Sequence, residues 1–137
     1  MSAVEELIKV GEDGKLCFGN HLLTEKAKKE DVEFEGDMYK IKTYNAMTKL
    51  EKNGLFLYES VPGTSVASFV ETSDSITFKV EGAEDSQITI GLQDDTEYKV
   101  YVDGVSIGHM KTNMGGKLVI SLELAGSKEQ EVKVVQA

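Results

Sequence analysis

The sequence predicts an all-β protein: a β-sandwich, immunoglobulin-like or jelly-roll, with an N-terminal set of short strands. Three observations carry this. Apolar residues recur at every second position through the C-terminal half, the period at which a strand presents one apolar and one wet face. Turn-forming pairs stand between these runs. At 137 residues with 40% hydrophobic content, the chain can bury roughly 65–70% of its unfolded surface, so it needs no disulfide or metal to fold.

The N-terminal elements are the harder ones. Residues 4–10 fit a helical turn or an N-terminal strand. Gly14 to Phe18 reads as a short strand. The polar stretch 24–29 reads as a helical turn or an exposed loop. Val32 and Phe34 pair naturally with Tyr39 and Ile41 across Glu35-Gly36-Asp37, a hairpin. Residues 46–51 could form a helical turn stopped by Asn53-Gly54, with a strand the favoured reading. Leu55 to Tyr58 is a continuous apolar run, the signature of a strand buried on both sides. Val61-Pro62-Gly63-Thr64 contains the single proline, and Pro-Gly signals a type II turn.

After Pro62 the pattern is plainer. Ile76, Phe78 and Val80 alternate with polar residues, as do Ile88, Ile90 and Leu92. So do Tyr98, Val100 and Val102, then Leu118 through Leu124, then Val132 and Val134. Between the runs stand Glu81-Gly82, Asp94-Asp95, Asp103-Gly104, Gly115-Gly116 and Ala125-Gly126-Ser127. Asp103-Gly104 is the clearest tight hairpin, because both residues tolerate positive φ. The expected organisation is an N-terminal β region over 1–64 and a sandwich domain over 65–137. The two halves either pack together or form two small modules meeting near Pro62.

Charge and composition narrow the function. The net charge is −9, which repels phosphate backbones and anionic bilayers. All fifteen basic residues are lysine, so the planar fork that reads guanine edges and clamps phosphates or carboxylates is missing. Neither nucleic acid nor membrane insertion is expected. The start of the chain lacks the basic and apolar regions of a signal peptide, which points to the cytoplasm, with leaderless export the alternative. Cys17, the single cysteine, reads as a small buried or half-buried hydrophobe.

No residue pattern commits to chemistry. His21 and His109 have no second histidine or cysteine at ligand spacing, so neither a metal nor a cofactor is expected. Cys17 and His21 are separated by Gly19-Asn20, which breaks any helix that would bring them together. Acidic pairs at Glu30-Asp31, Glu84-Asp85 and Asp94-Asp95-Thr96-Glu97 could supply calcium oxygens or paired carboxylates, but they fall in expected turns, where solvated charge is the plain reading. Gly115-Gly116-Lys117 runs into a strand, whereas a phosphate loop needs a helix behind it. Phe18, Phe34, Phe56, Phe69 and Phe78 read as core. Tyr44, Tyr58 and Tyr101 are the candidates for outward faces, where they could form an association surface or stack on sugars.

The runs Gly14-Lys-Leu-Cys-Phe-Gly19, Gly36-Asp-Met-Tyr-Lys-Ile-Lys-Thr43, Thr48-Lys-Leu-Glu-Lys-Asn-Gly54, Tyr58-Glu-Ser-Val-Pro-Gly-Thr64 and Lys111-Thr-Asn-Met-Gly-Gly-Lys117 resemble a group of small bacterial proteins labelled "endosialidase". The resemblance covers nearly the whole chain and implies an enzyme acting on glycans. Characterised sialidases hold the substrate carboxylate with clustered arginines on a larger propeller. This chain has no arginine, so no catalytic residue is carried across. The stretch Tyr98 to Asp103-Gly104, continuing through Gly108 and Thr112 to Leu118, is similar to fibronectin-like and immunoglobulin-like sandwich modules, which bears on fold alone. The function expected first is a non-enzymatic structural or interaction protein that self-associates into a homo-oligomer. A carbohydrate-binding module comes second and a glycan-acting enzyme third.

Overall fold

The computed structural model of the chain describes residues 3–126 and 129–137. Met1, Ser2 and Ser127, the last belonging to the expected Ala125-Gly126-Ser127 turn, lie outside them. The described residues form thirteen strands and no helix. In order they are β1 (Ile8–Val10), β2 (Leu16–Phe18), β3 (Ala27–Phe34), β4 (Asp37–Tyr44), β5 (Met47–Lys52), β6 (Leu55–Val61), β7 (Ser65–Glu71), β8 (Ser75–Glu81), β9 (Ser86–Gly91), β10 (Glu97–Val102), β11 (Val105–Lys111), β12 (Lys117–Leu122) and β13 (Gln130–Gln136). They make two antiparallel sheets. The seven-stranded sheet runs β1-β2-β7-β8-β13-β10-β11, and the six-stranded sheet runs β12-β9-β6-β5-β4-β3.

The all-β sandwich is therefore as the sequence predicts, and strands from both sides of residue 64 enter both sheets. Strands β1 and β2 join the seven-stranded sheet, while β3 to β6 make up most of the six-stranded one. Residues 65–137 supply only part of each sheet. The reason is burial. Inward residues of both halves share one core, from Ile8, Phe18, Ile41 and Leu50 to Phe78, Ile120 and Val134.

Several local expectations change. Residues 27–29 begin β3 rather than a loop or helical turn, because Ala27 to Lys29 pair with Thr43 to Ile41. Residues 4–10 resolve into a turn and the short β1. The run Leu55 to Tyr58 is not buried on both sides. A bulge opposite Leu50 and Glu51 makes Leu57 an extra residue. Leu57 and Tyr58 are both buried, while Leu55 is 72% exposed. Phe56, expected in the core, instead lies under Lys117, whose Nζ is 4.6 Å from the ring centroid.

The hairpins follow local chemistry. At Asp103-Gly104 both residues have positive φ (51° and 80°) and Val102 pairs with Val105, the two-residue turn whose twist matches its strands. The Pro62-Gly63 corner is different. Gly63 does not have positive φ, so this is not a type II turn. Glycine is needed there for space: a Cβ would stand 2.0 Å from the Tyr44 carbonyl oxygen. The Val61–Pro62 peptide is cis.

Candidate functional site

The densest polar constellation lies at the crossover from β6 to β7, where the chain leaves one sheet for the other. Thr43, Thr48, Ser60, Thr64 and Ser65 are fully buried there. Thr48 Oγ1 donates to the Thr64 carbonyl at 2.7 Å and accepts the Thr64 N–H at 3.1 Å. Its one proton is thus used, so Thr43 Oγ1, 2.9 Å away, donates to it. Thr43 in turn accepts the Asn20 N–H at 2.8 Å. On the other side, Thr64 Oγ1 meets Tyr58 Oη at 2.7 Å and Ser60 Oγ at 2.8 Å.

This network corrects one expected surface residue. Tyr58 is wholly buried. Its ring packs edge-on against Phe18 (5.1 Å) and Phe78 (5.6 Å), and burial raises its phenol above the ordinary value. Tyr44 and Tyr101 are half-buried. Tyr44 has Lys26 Nζ 5.9 Å from its ring. Tyr101 opens, with Lys99, Lys133 and Glu131, onto a shallow groove of about 490 Å³ on the outer face of the seven-stranded sheet. The structure does not bring the three tyrosines together.

At the rim of the network, Ser65 Oγ accepts the His21 backbone N–H at 3.2 Å and meets His21 Nδ1 at 2.7 Å. Burial lowers the His21 pKa, with the Glu81 carboxylate opposing it. A serine beside an imidazole invites a nucleophilic reading. The burial of Ser65 rules against it: the hydroxyl is sealed and already holds a backbone donor, so no substrate carbonyl can approach it. What the pair does is fix the 19–23 segment against β7. Sequence reasoning placed His21 but missed Ser65, because 44 residues separate them and no spacing rule links them.

The other candidates are dispersed. Cys17 is half-buried on β2. His109 is exposed, with Nδ1 3.1 Å from Glu97 Oε1. Lys111 Nζ lies 3.2 Å from Asp95 and Lys40 Nζ lies 3.5 Å from Glu30. Asp85 Oδ1 accepts the Ala125 N–H. Among the described residues, no group of three or more His, Cys, Asp or Glu side chains is placed to hold a metal ion. Gly115-Gly116-Lys117 is a turn, as read, with the Asn113 side-chain oxygen accepting the N–H groups of Gly115 and Lys117.

A cleft of about 590 Å³ opens between the sheets beside Lys52, Glu71, Thr72, Asp74, Gln93 and Tyr98. The Lys52–Glu71 ion pair, 2.7 Å long, spans it. The hydrogen bond to Glu71 raises the Lys52 pKa.

The most distinctive surface lies along one side. Strands β11 and β12 are consecutive in the chain, and each is the last strand of its own sheet. Among the described residues, four of the nine large apolar side chains left exposed fall on residues 105–119: Val105 at 65%, Ile107 at 45%, Met114 at 89% and Val119 at 47%. Comparison with protein-family models, curated proteins and solved structures finds no match to the chain.

Proposed function

We propose that this protein is a non-enzymatic structural or interaction protein that self-associates into a homo-oligomer. The supporting observation is the clustering of exposed apolar side chains on β11, β12 and the turn between them. Scattered apolar residues on a surface are ordinary, whereas a group along open strand edges marks an association surface. The polar constellation at the crossover gives no competing reading, because its hydroxyls bond one another and backbone groups. Light scattering after size exclusion tests the proposal. A multiple of the 15.0 kDa chain mass is expected at micromolar concentration, and a strict monomer at high micromolar concentration overturns it.

A second reading, a carbohydrate-binding module, draws on the groove beside Tyr101. An aromatic ring flanked by lysines and a carboxylate offers a stacking face with hydrogen-bonding groups beside it. A glycan array run with and without calcium tests it, and binding lost on Tyr101→Ala is the expected positive result.

A further inference from the structure

The four strand edges are not equally open. Strand β1 has only three residues. Strand β3 carries Lys28-Lys29-Glu30-Asp31 and a bulge at which Asp31 has φ 56°. Strand β11 is interrupted by a bulge against β10 and by Gly108 at φ 110°. Charges, bulges and short lengths are the devices that stop an edge from recruiting another strand. Strand β12 has none of them over Leu118–Leu122. Its register with β9 is unbroken for six residues.

Lys117 sets the hydrogen-bonding direction along β12. The Lys117 N–H bonds the Asn113 side chain and its C=O accepts the Asn113 N–H at 3.1 Å, so both groups point away from β9. In an antiparallel ladder the direction alternates residue by residue. Val119 and Ser121 therefore also aim their N–H and C=O groups outward, where no described residue bonds them. On the outer face the neighbouring Gln87 and Thr89 of β9 are uncharged, in a chain that is 28% charged. Lys117 stands at one end of this neutral strip and Glu123 at the other, both exposed.

We infer that β12 pairs antiparallel with β12 of a second copy, about a two-fold axis at Ile120, joining two six-stranded sheets into one. The inference rests on the self-association proposed above and names its surface and register. Val119 of one copy faces Ser121 of the other, and each such pair exchanges two backbone hydrogen bonds. The same register sets Lys117 opposite Glu123 of the second copy, twice per dimer. The edge is thus complementary to itself in both hydrogen bonding and charge, as a two-fold interface requires. Because the Lys117 backbone groups are already taken by Asn113, the Lys117–Glu123 contact is made by side chains alone and the backbone bonds are those of Val119 and Ser121.

The test combines light scattering with sedimentation on the full chain. Ser121→Pro removes an outward N–H without touching the β9 ladder, and is expected to weaken the dimer more than 100-fold with the circular dichroism unchanged. Lys117→Glu faces Glu123 with a like charge and is expected to raise the dimer Kd about 10-fold. The swap Lys117→Glu with Glu123→Lys is expected to restore it at low salt. A wild-type dimer indifferent to Ser121→Pro, or a swap that rescues nothing, overturns this interface while leaving self-association standing. A wild-type monomer overturns both readings. If Ser121→Pro fails to fold, the charge swap decides alone.

Discussion

Thr48 offers a direct measure of how far the buried hydroxyl network holds the fold. Its oxygen makes three hydrogen bonds, to Thr43 Oγ1, the Thr64 carbonyl and the Thr64 N–H. Thr48→Val keeps the shape and the β-branched side chain but removes all three. Two backbone groups of Thr64 then lose the side chain that satisfies them in a fully buried place. At about 1–3 kcal/mol for each orphaned buried group, the loss is about 3 kcal/mol. Thr48→Ser keeps the oxygen and loses one methyl, about 1 kcal/mol. The difference of about 2 kcal/mol corresponds to about 1 M in urea midpoint for a domain of this size. Packing and β-propensity alone rank the two variants the other way, since valine is the better strand former and fills the space. Equilibrium urea unfolding followed by circular dichroism reads the order. A valine variant as stable as the serine variant refutes the assignment.

Three further outcomes follow from the same geometry. Gly63→Ala drives a Cβ into the Tyr44 carbonyl oxygen and should cost well over 2 kcal/mol; Gly104→Ala meets nothing and pays only for its positive φ, about 1 kcal/mol, so thermal melts of the two should separate clearly, and equal losses contradict the close approach. Phe18→Ala empties a fully buried site in ring contact with Tyr58 and Phe69 and should cost about 3–5 kcal/mol, with a loss under 1 kcal/mol in urea unfolding counting against a shared core. The lowered His21 pKa means the unfolded chain binds that proton more readily than the folded one. His21 therefore contributes stability that is complete above its ordinary value of 6.5 and lost as pH falls from there through the folded value. The difference in urea midpoint between the wild type and His21→Gln should shrink on acidification, and a difference that grows as pH falls reverses the sign.

The legible parts of the sequence were those where local chemistry decides the structure. Period-two runs such as Ile76-Phe78-Val80 and Leu118-Ile120-Leu122 became strands with those residues inward, because one buried face is all that such a run must satisfy. Asp103-Gly104 became the tight turn it reads as. What failed needed long-range information. Ala27 to Lys29 have no strand pattern of their own and are strand only because β4 offers its edge. The bulge at Leu57 is set by pairing with β5, which no period within β6 reveals, and it carried Tyr58 inward and left Phe56 outside. The assignment of Tyr58 to a surface failed for that reason. The density of recognisable runs changes at residue 64, whereas the sheets are assembled from both sides of it.

The crossover explains why Tyr58-Glu-Ser-Val-Pro-Gly-Thr-Ser65 has the residues it does. A chain that leaves one sheet for the other exchanges its ladder partners, so the backbone groups of Thr64, between β6 and β7, have no ladder partner, yet Thr64 is fully buried. Buried N–H and C=O groups must be bonded. Hydroxyl side chains are the smallest groups that can do it. Thr48 serves both backbone groups of Thr64, and Gly63 lets its N–H reach the Asn45 carbonyl at 2.9 Å. Tyr58 and Ser60 close the cluster from β6. Hydroxyls sufficient to react are therefore consumed in joining the sheets. That is the physical reason this buried polar site is structural, and it leaves the strand edges as the surface open to a partner.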